Sequence, residues 1–502
     1  MLTSFAAAKN MERRKNSFWS PLVLILLIGM FYLTMLRSGH DWGDDFAMYL
    51  QQARNIVEGQ PLAQSGYIYN PLYPQLGPPA YPPVFPFLLA PVYKFQGLNW
   101  IALKTVPMIS FLAALGFLAF WFAQELKPRS LLVLIAVLGL NPFFYAFKDQ
   151  IVSDFPFLFF VVTALVLLER CHKQASGLWV LLAGLSICLC LATRAVGVLL
   201  LPTFLLYEWL RERRITAAAI RVGLVAGILM SLYLWTFNES ASYLDQLHIN
   251  LSTVRQNLYI QLWHIYKDLW GNGCSPALAA ALTVWFGLLV ILGYLFRLRR
   301  GWDLREVFVP AYVIVVILWP AENDFRLLIP VIPFWFFYLA VALEGAAELA
   351  SKARPWPGWL RRAGTPVLLA LITVSYAEAY ARLEYGPIKQ GASDPHFGEL
   401  CAYVATHAAP DSRFIFEKPR ILSLLTRRSA SGYHDATDPG ELWRYSRAIG
   451  ASYWILSRTS YRDQLYLRPV LNCYSSQLDL VFSNSGFDMY QSREQSQSQA
   501  VR

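Results

Sequence analysis

The sequence predicts a mainly α, polytopic helical membrane protein of about eleven transmembrane helices, followed by a small C-terminal α/β domain outside the membrane. Three observations lead there. Of 502 residues, 56% are hydrophobic and 15% aromatic, only 15% are charged, and the mean hydropathy is +0.37; such a balance belongs to multi-span chains, not to soluble globular ones. Apolar runs of spanning length recur up to residue 383, separated by short basic connectors. Beyond that point the apolar runs shrink to strand length and charges become frequent. The net charge of +10 would suggest nucleic acid in a soluble protein. Here Lys and Arg sit in short loops, where they set orientation, so nucleic acid is not an expected partner.

Residues 1–17 carry Lys9, Arg13, Arg14 and Lys15 ahead of the apolar run Phe18 to Leu36. That run is of spanning length and lacks a small-residue cleavage site, which reads as a retained signal anchor with a cytoplasmic N-terminus. Further spans are expected near 101–123, 131–147, 155–169, 178–193, 196–210, 217–236, 277–297, 307–320, 327–349 and 364–382. The connectors around Lys127, Arg170, Arg211, Arg297 to Arg305 and Lys352 to Arg362 then all face the cytoplasm, as the positive-inside rule requires. The opposite face receives residues 38–100, the corner from Asn141 to Asp154, Arg194, residues 238–276, the corner from Glu322 to Arg326, and the tail. Tyr81 to Lys94 is apolar but short and carries Pro82, Pro83, Pro86 and Pro91; a half-buried or re-entrant segment fits it better than a span.

The expected division is a transmembrane module over 1–383, with amphipathic juxtamembrane helices in the outer loop 38–100, an α/β domain over 384–491, and a polar, disordered tail over 492–502. Within the domain, Arg413 to Glu417, Tyr453 to Ser457 and Leu478 to Ser483 read as strands. Phe397 to His407 and Gly440 to Ile449 read as helices, the latter stopped by Gly450. Six cysteines form no metal-ligand pattern and no disulfide framework; only Cys401 and Cys473 are placed to pair.

The stretch Asp41 to Tyr49 sets Asp41, Asp44 and Asp45 ahead of an amphipathic helix. Phe46, Tyr49, Leu50, Ala53, Ile56 and Val57 form one apolar stripe, expected to lie along the membrane surface and to end at Gly59 with Pro61 beyond. Asp44 or Asp45 can cap that helix; as a pair they can also do acid–base chemistry. On the same outer face lie Lys148, Asp149 and Asp154, then Arg194, then Glu322, Asp324 and Arg326. Each alone reads as an interface anchor. Together they mix carboxylates with cations, as a site needs if it takes a proton from a hydroxyl and stabilises a departing phosphate. Trp42, Tyr67, Tyr69, Tyr73 and Tyr81 offer sugar-stacking faces or mark the interface belt.

Taken in order, an N-terminal span, Asp44-Asp45-x-x-x-Tyr49, Tyr81-Pro82-Pro83-x-x-Pro86, Asn141-Pro142, Ser153-Asp154-x-Pro156, Thr193-Arg194 and Arg326-Leu-Leu-Ile-Pro330 resemble the GT-C membrane glycosyltransferases. The closest likeness within them is to bacterial relatives of the protein O-mannosyltransferases and of the lipid A aminoarabinose transferases. The resemblance implies an inverting transfer of sugar from a polyprenyl-phosphate-linked donor to an acceptor hydroxyl on a lipid, glycan or protein. The expected place is the outer face of a bacterial inner membrane, with the C-terminal domain periplasmic. It implies Asp45 as general base, with Asp44 its neighbour, and Tyr49 and Tyr81 in the substrate site. The aminoarabinose group has Lys where Tyr81 stands, so Arg194, Arg326 and Lys148 are the substitutes for a phosphate ligand, with Asp154 beside them. Some members use a divalent metal ion and others do not; the ligand set here leaves the cofactor open. A transporter or flippase of a lipid-linked or amphiphilic substrate is the alternative function. Few mid-helix charges and a site on one face count against it.

Overall fold

The computed structural model describes residues 19–237, 250–271, 275–319, 325–352 and 358–493. Glu322, Asp324 and the expected disordered tail from residue 494 onward lie outside them.

A helical part runs from α1 (Trp19–Thr34) through α2 (Asp45–Glu58), α3 (Val84–Gln96), α4 (Trp100–Phe122), α5 (Pro128–Gly139), α6 (Pro142–Phe147), α7 (Asp154–Lys173) and α8 (Gly177–Leu191) to α9 (Leu200–Glu212) and α10 (Ala217–Thr236). It continues with α11 (Leu251–His264), α12 (Pro276–Leu298), α13 (Leu304–Leu318), α14 (Ile332–Lys352) and α15 (Gly358–Arg382). Among the described residues, α4, α7, α10, α12 and α14 are long and apolar enough to cross a membrane, and α1, α5 and α8 are shorter apolar helices. The expected run 131–147 is broken in two: Pro142 starts α6, and the Asn141 side chain caps it by accepting from the Phe143 amide at 2.9 Å.

Residues after α15 build an α/β unit with α16 (Pro395–His407), α17 (Pro419–Thr426), α18 (Pro439–Ala448) and α19 (Arg468–Cys473). Its six-stranded sheet has the order β1-β3-β2-β4-β6-β5. The strands are β1 (Tyr67–Ile68), β2 (Arg413–Ile415), β3 (Ser429–Ser431), β4 (Tyr453–Ser457), β5 (Leu478–Ser483) and β6 (Phe487–Ser492). The first four in space are parallel; β6 runs antiparallel to β4 and β5. The strands and helices read from sequence in this region are present. β1, β3, β6 and α17 are additional, and β1 comes from the loop 38–100, pairing Tyr67 with Ala430. That loop is therefore part of the sheet. Cys401 is buried and Cys473 exposed, both free thiols, so the single pairing that spacing allowed does not form.

The helix α2 departs from expectation too. It ends as read, with Gly59 in the left-handed region at φ 70° and its amide bonded back into the last turn. Yet Phe46 to Asn55 are all buried, so α2 is an interior helix, packed on α3 and α17, and not a surface one. Its polar face is matched by specific partners: Gln52 exchanges two hydrogen bonds with the Tyr81 backbone (2.8 and 3.2 Å), and Asn55 donates to the Pro61 and Gln64 carbonyls. The Gln52 and Asn55 amides are polar in sequence but need no water when the backbone satisfies them in this way.

The approach to α2 is held from below. Lys104, fully buried on α4, donates to the Arg37 carbonyl at 2.7 Å and the Gly39 carbonyl at 2.8 Å. Gly391 admits the chain at Asp41, whose carbonyl carbon would lie 2.1 Å from a Cβ there. In the membrane part, α12 and α14 approach so closely that a Cβ on Gly293 would meet the Tyr338 carbonyl oxygen, whereas Gly287 on the same helix faces open space. Gly293→Ala is thus expected to lower the thermal midpoint of the detergent-solubilised protein by several degrees and Gly287→Ala to leave it unchanged. Equal midpoints in a melting series would contradict this packing.

Candidate active site

Asp44 and Asp45 open α2, where a carboxylate complements the helix dipole. Neither acts as a cap: Asp44 stands at the N-cap position without a side-chain bond to the first turn, because both side chains are drawn elsewhere. Asp45 Oδ2 accepts from Arg326 Nη2 at 2.6 Å, and Oδ1 accepts from the Tyr81 hydroxyl at 2.6 Å. Arg420 Nη1 donates to that hydroxyl at 2.6 Å and lies 3.5 Å from Asp45 Oδ1, while its Nε is 3.7 Å from Asp44 Oδ2. The Arg420 guanidinium sits between the rings of Tyr67 and Tyr81, at 4.7 and 4.9 Å, and its side chain is 1% exposed. Gly77, at φ +100°, leaves room for it: a Cβ there would lie 2.9 Å from Arg420 Nη2.

Arg420 was not among the residues singled out in the sequence. A faint signal exists. Pro419 opens α17 and Arg420 follows at once, in the first turn where a cation opposes the helix dipole; an Arg so placed is held by something else. That something is the acidic pair.

The two carboxylates are driven apart electrostatically. Burial raises Asp45, but the Arg326 and Arg420 guanidinium groups and the Tyr81 hydroxyl outweigh it and hold the carboxyl well below the usual range. Burial dominates at Asp44 and pushes it up to about 6, against the pull of Arg420 and Lys418 and with the like charge of Asp45 adding to the rise.

Two cavities meet at Asp45 and Arg326. One, of about 250 Å³, is lined by Tyr49, Tyr81, Arg194, Tyr312, Trp319 and the pair itself. The other, of about 470 Å³, is lined by Asp41, Asp44, Gln150 and the same pair. Arg194 Nη1 donates to Asp154 Oδ1 at 2.5 Å, so Asp154 orients the cation that faces the first cavity. The Tyr49 hydroxyl bonds to Ser153 Oγ at 2.8 Å, and burial pushes it up to about 12. The structure thus gathers Asp44, Asp45, Tyr49, Tyr81, Asp154, Arg194 and Arg326. It leaves Lys148 out: its ammonium donates to Asp149 at 2.8 Å, lies over the Tyr145 ring, and lines neither cavity. Asp149 in turn accepts from the Arg37 amide, so in this structure Lys148 is tied through it to the chain after α1.

Among the described residues no three His, Cys, Asp or Glu side chains gather as a cation site. Both oxygens of Asp45 are taken by Arg326 and Tyr81.

No protein-family profile and no curated protein sequence matches the chain. Its fold does match solved structures. ArnT from Cupriavidus metallidurans bound to undecaprenyl phosphate superposes with a TM-score of 0.55 at 13% identity, over 93% of this chain and 97% of that one. An Archaeoglobus fulgidus oligosaccharyltransferase tethered with an acceptor peptide gives 0.58 at 10%, over 95% and 74%. The mycobacterial arabinofuranosyltransferase AftD gives 0.53 at 14%, over 93% and 41%. These are GT-C glycosyltransferases, and the chain has their fold, that of a multi-pass membrane protein.

Asp44 yields a pH test. Its folded-state value lies above the ordinary 3.8, so the folded state binds the extra proton and stability falls as pH rises from about 4 to 6. The stability of Asp44→Asn relative to wild type should therefore shift in the variant's favour by up to about 3 kcal/mol between pH 4 and pH 7. Denaturation at the two pH values checks it; a pH-independent difference would contradict the burial of this charge.

Proposed function

We infer that the protein is an inverting glycosyltransferase, moving a sugar from a polyprenyl-phosphate-linked donor to an acceptor hydroxyl at the outer face of the membrane. The observation that carries this reading is the position of Asp45 at the junction of two cavities, one bordered by guanidinium groups and the other by carboxylates. The donor phosphate enters the first, facing Arg194 and Arg326; the acceptor enters the second. The acceptor oxygen attacks the anomeric carbon from the face opposite the phosphate. Its proton passes to Asp45, the new C–O bond forms, and the old one breaks with its electron pair leaving on the phosphate.

The charges explain how Asp45 becomes a base at the right moment. Without donor, Asp45 is paired to Arg326, Asp154 to Arg194, and Arg420 lies beside Asp44 and Asp45. An arriving phosphate competes for Arg326. Each hydrogen bond that Arg326 gives to phosphate is one withdrawn from Asp45, which raises the proton affinity of that carboxylate. Tyr81, held by Arg420, keeps Asp45 oriented meanwhile. The relatives of like fold that were captured with undecaprenyl phosphate and with an acceptor peptide support a lipid-linked donor and a separate acceptor. The same reading puts the module 1–383 with about eleven spans in a bacterial inner membrane, the N-terminus in the cytoplasm, and the domain 384–491 outside.

Asp45→Asn is expected to cut turnover of a purified lipid-linked donor by about 10²–10⁴-fold while the protein remains folded in the membrane. Arg326→Ala should raise the apparent KM for the donor about tenfold. Wild-type rates in the first variant, or an unchanged KM in the second, would remove those roles. For orientation, a phosphatase that is active only in the periplasm, fused after residue 490, should be active; inactivity would overturn the topology.

A further inference from the structure

The α/β unit carries a cavity that the reaction above does not use. Its place follows from topology. After β2 the chain crosses through α17 to β3 on one side; after β3 it returns through α18 to β4 on the other. The connections leave β2 and β4 in opposite directions, and at such a switch point a crevice opens outside the carboxyl ends of the strands. Here a cavity of about 240 Å³ is lined by Trp42, Glu417, Lys418, Ser457, Thr459 and Ser460. That volume is below the ~300–1,000 Å³ usual for drug-sized ligands.

Besides the rings of Phe416 and Phe487, its lining has one carboxylate, one ammonium, three hydroxyls and an indole. Ser460 Oγ donates to Glu417 Oε2 at 2.5 Å, the Ser460 amide donates to Ser457 Oγ at 3.3 Å, and the Ser457 and Thr459 hydroxyls are 3.3 Å apart. The polar groups are thus ordered by one another before any ligand arrives. The balanced charge disfavours a phosphate or other polyanion. Mixed donors and acceptors beside an aromatic face suit the hydroxyls and the C–H face of a pyranose ring.

The cavity is also continuous in chain with the reaction site. Trp42 lines it, while its neighbours Asp41 and Gly43 line the cavity that holds Asp45. Trp42 is fixed edge-on against Phe397 and Phe487, at 5.0 and 6.1 Å. On the opposite wall Glu417 and Lys418 line this cavity, and two residues later Arg420 reaches Asp45 and Tyr81. We propose that this switch-point cavity is a sugar subsite, holding one pyranose unit of the acceptor next to the unit whose hydroxyl meets Asp45. The acceptor is then a glycan of at least two sugar units, and this rests on the glycosyltransferase reading above.

Saturation-transfer NMR on the full-length protein in lipid nanodiscs, with free maltose, cellobiose, chitobiose and the matching monosaccharides as probes, tests it. Wild type should transfer saturation to at least one of these sugars. Thr459→Trp, at an exposed position, fills the cavity and should abolish transfer; Glu417→Gln should weaken binding about tenfold. The proposal is overturned if no probe receives saturation from wild type or if both cavity variants bind as wild type. A protein that binds sugar in this cavity but shows no turnover of lipid-linked donor would refute the transferase reading and leave the sugar site standing.

Discussion

Two adjacent carboxylates at one helix start, one nearly buried and the other 28% exposed into the cavities it lines, are the constraint around which this molecule is arranged. Like charges so close raise one another's cost, and removing them from water raises it further. The structure answers with cations from two distant parts of the chain. Arg326 comes from the turn before α14, and Arg420 from the first turn of α17 in the α/β unit. One is shared with a cavity and is 28% exposed; the other is sealed between two tyrosine rings. The difference matters, since a partly exposed cation can be claimed by a ligand and a sealed one holds the geometry.

That arrangement ties the α/β unit to the membrane part. The unit supplies Arg420, accepts a strand from the loop 38–100, and buries α2 against α17. One hydrophobic cluster contains Phe46, Leu50 and Phe85 from that loop together with Phe414, Leu422 and Ile455 from the unit. The loop and the unit share a core, so the carboxylates are positioned by packing from both sides.

Much of the fold was legible. Apolar runs and their basic connectors are periodic, local signals, and they located α1, α4, α7 to α10 and α12 to α15, while α5 and α6 were read as one run and α11 was not read at all; strand-length runs located β2, β4 and β5. Elements without a local signal were missed. β1 and β3 are two and three residues long, and Ser429 to Ser431 has no strand-forming run; both exist because neighbours in the sheet pair with them. The amphipathic stripe of α2 was real, but its direction of burial was not encoded in it, since Gln52 and Asn55 are as well satisfied by backbone partners as by water.

The site divides in the same way. Sequence alone determined which residue types were available at the outer corners, and the spacing of Asp45 to Tyr49, because a helical turn places those two on one wall. Tertiary structure alone decided their partners. It turned Lys148 toward Asp149, joined Arg194 to Asp154, and brought Arg420 across 375 residues to Asp45. It also decided that Asp44 and Asp45 differ in proton affinity, although they are chemically identical neighbours. The physical reason is that a carboxyl's charge is set by the groups within a few ångströms and by its access to water. Those neighbours come from chain segments that no local pattern relates.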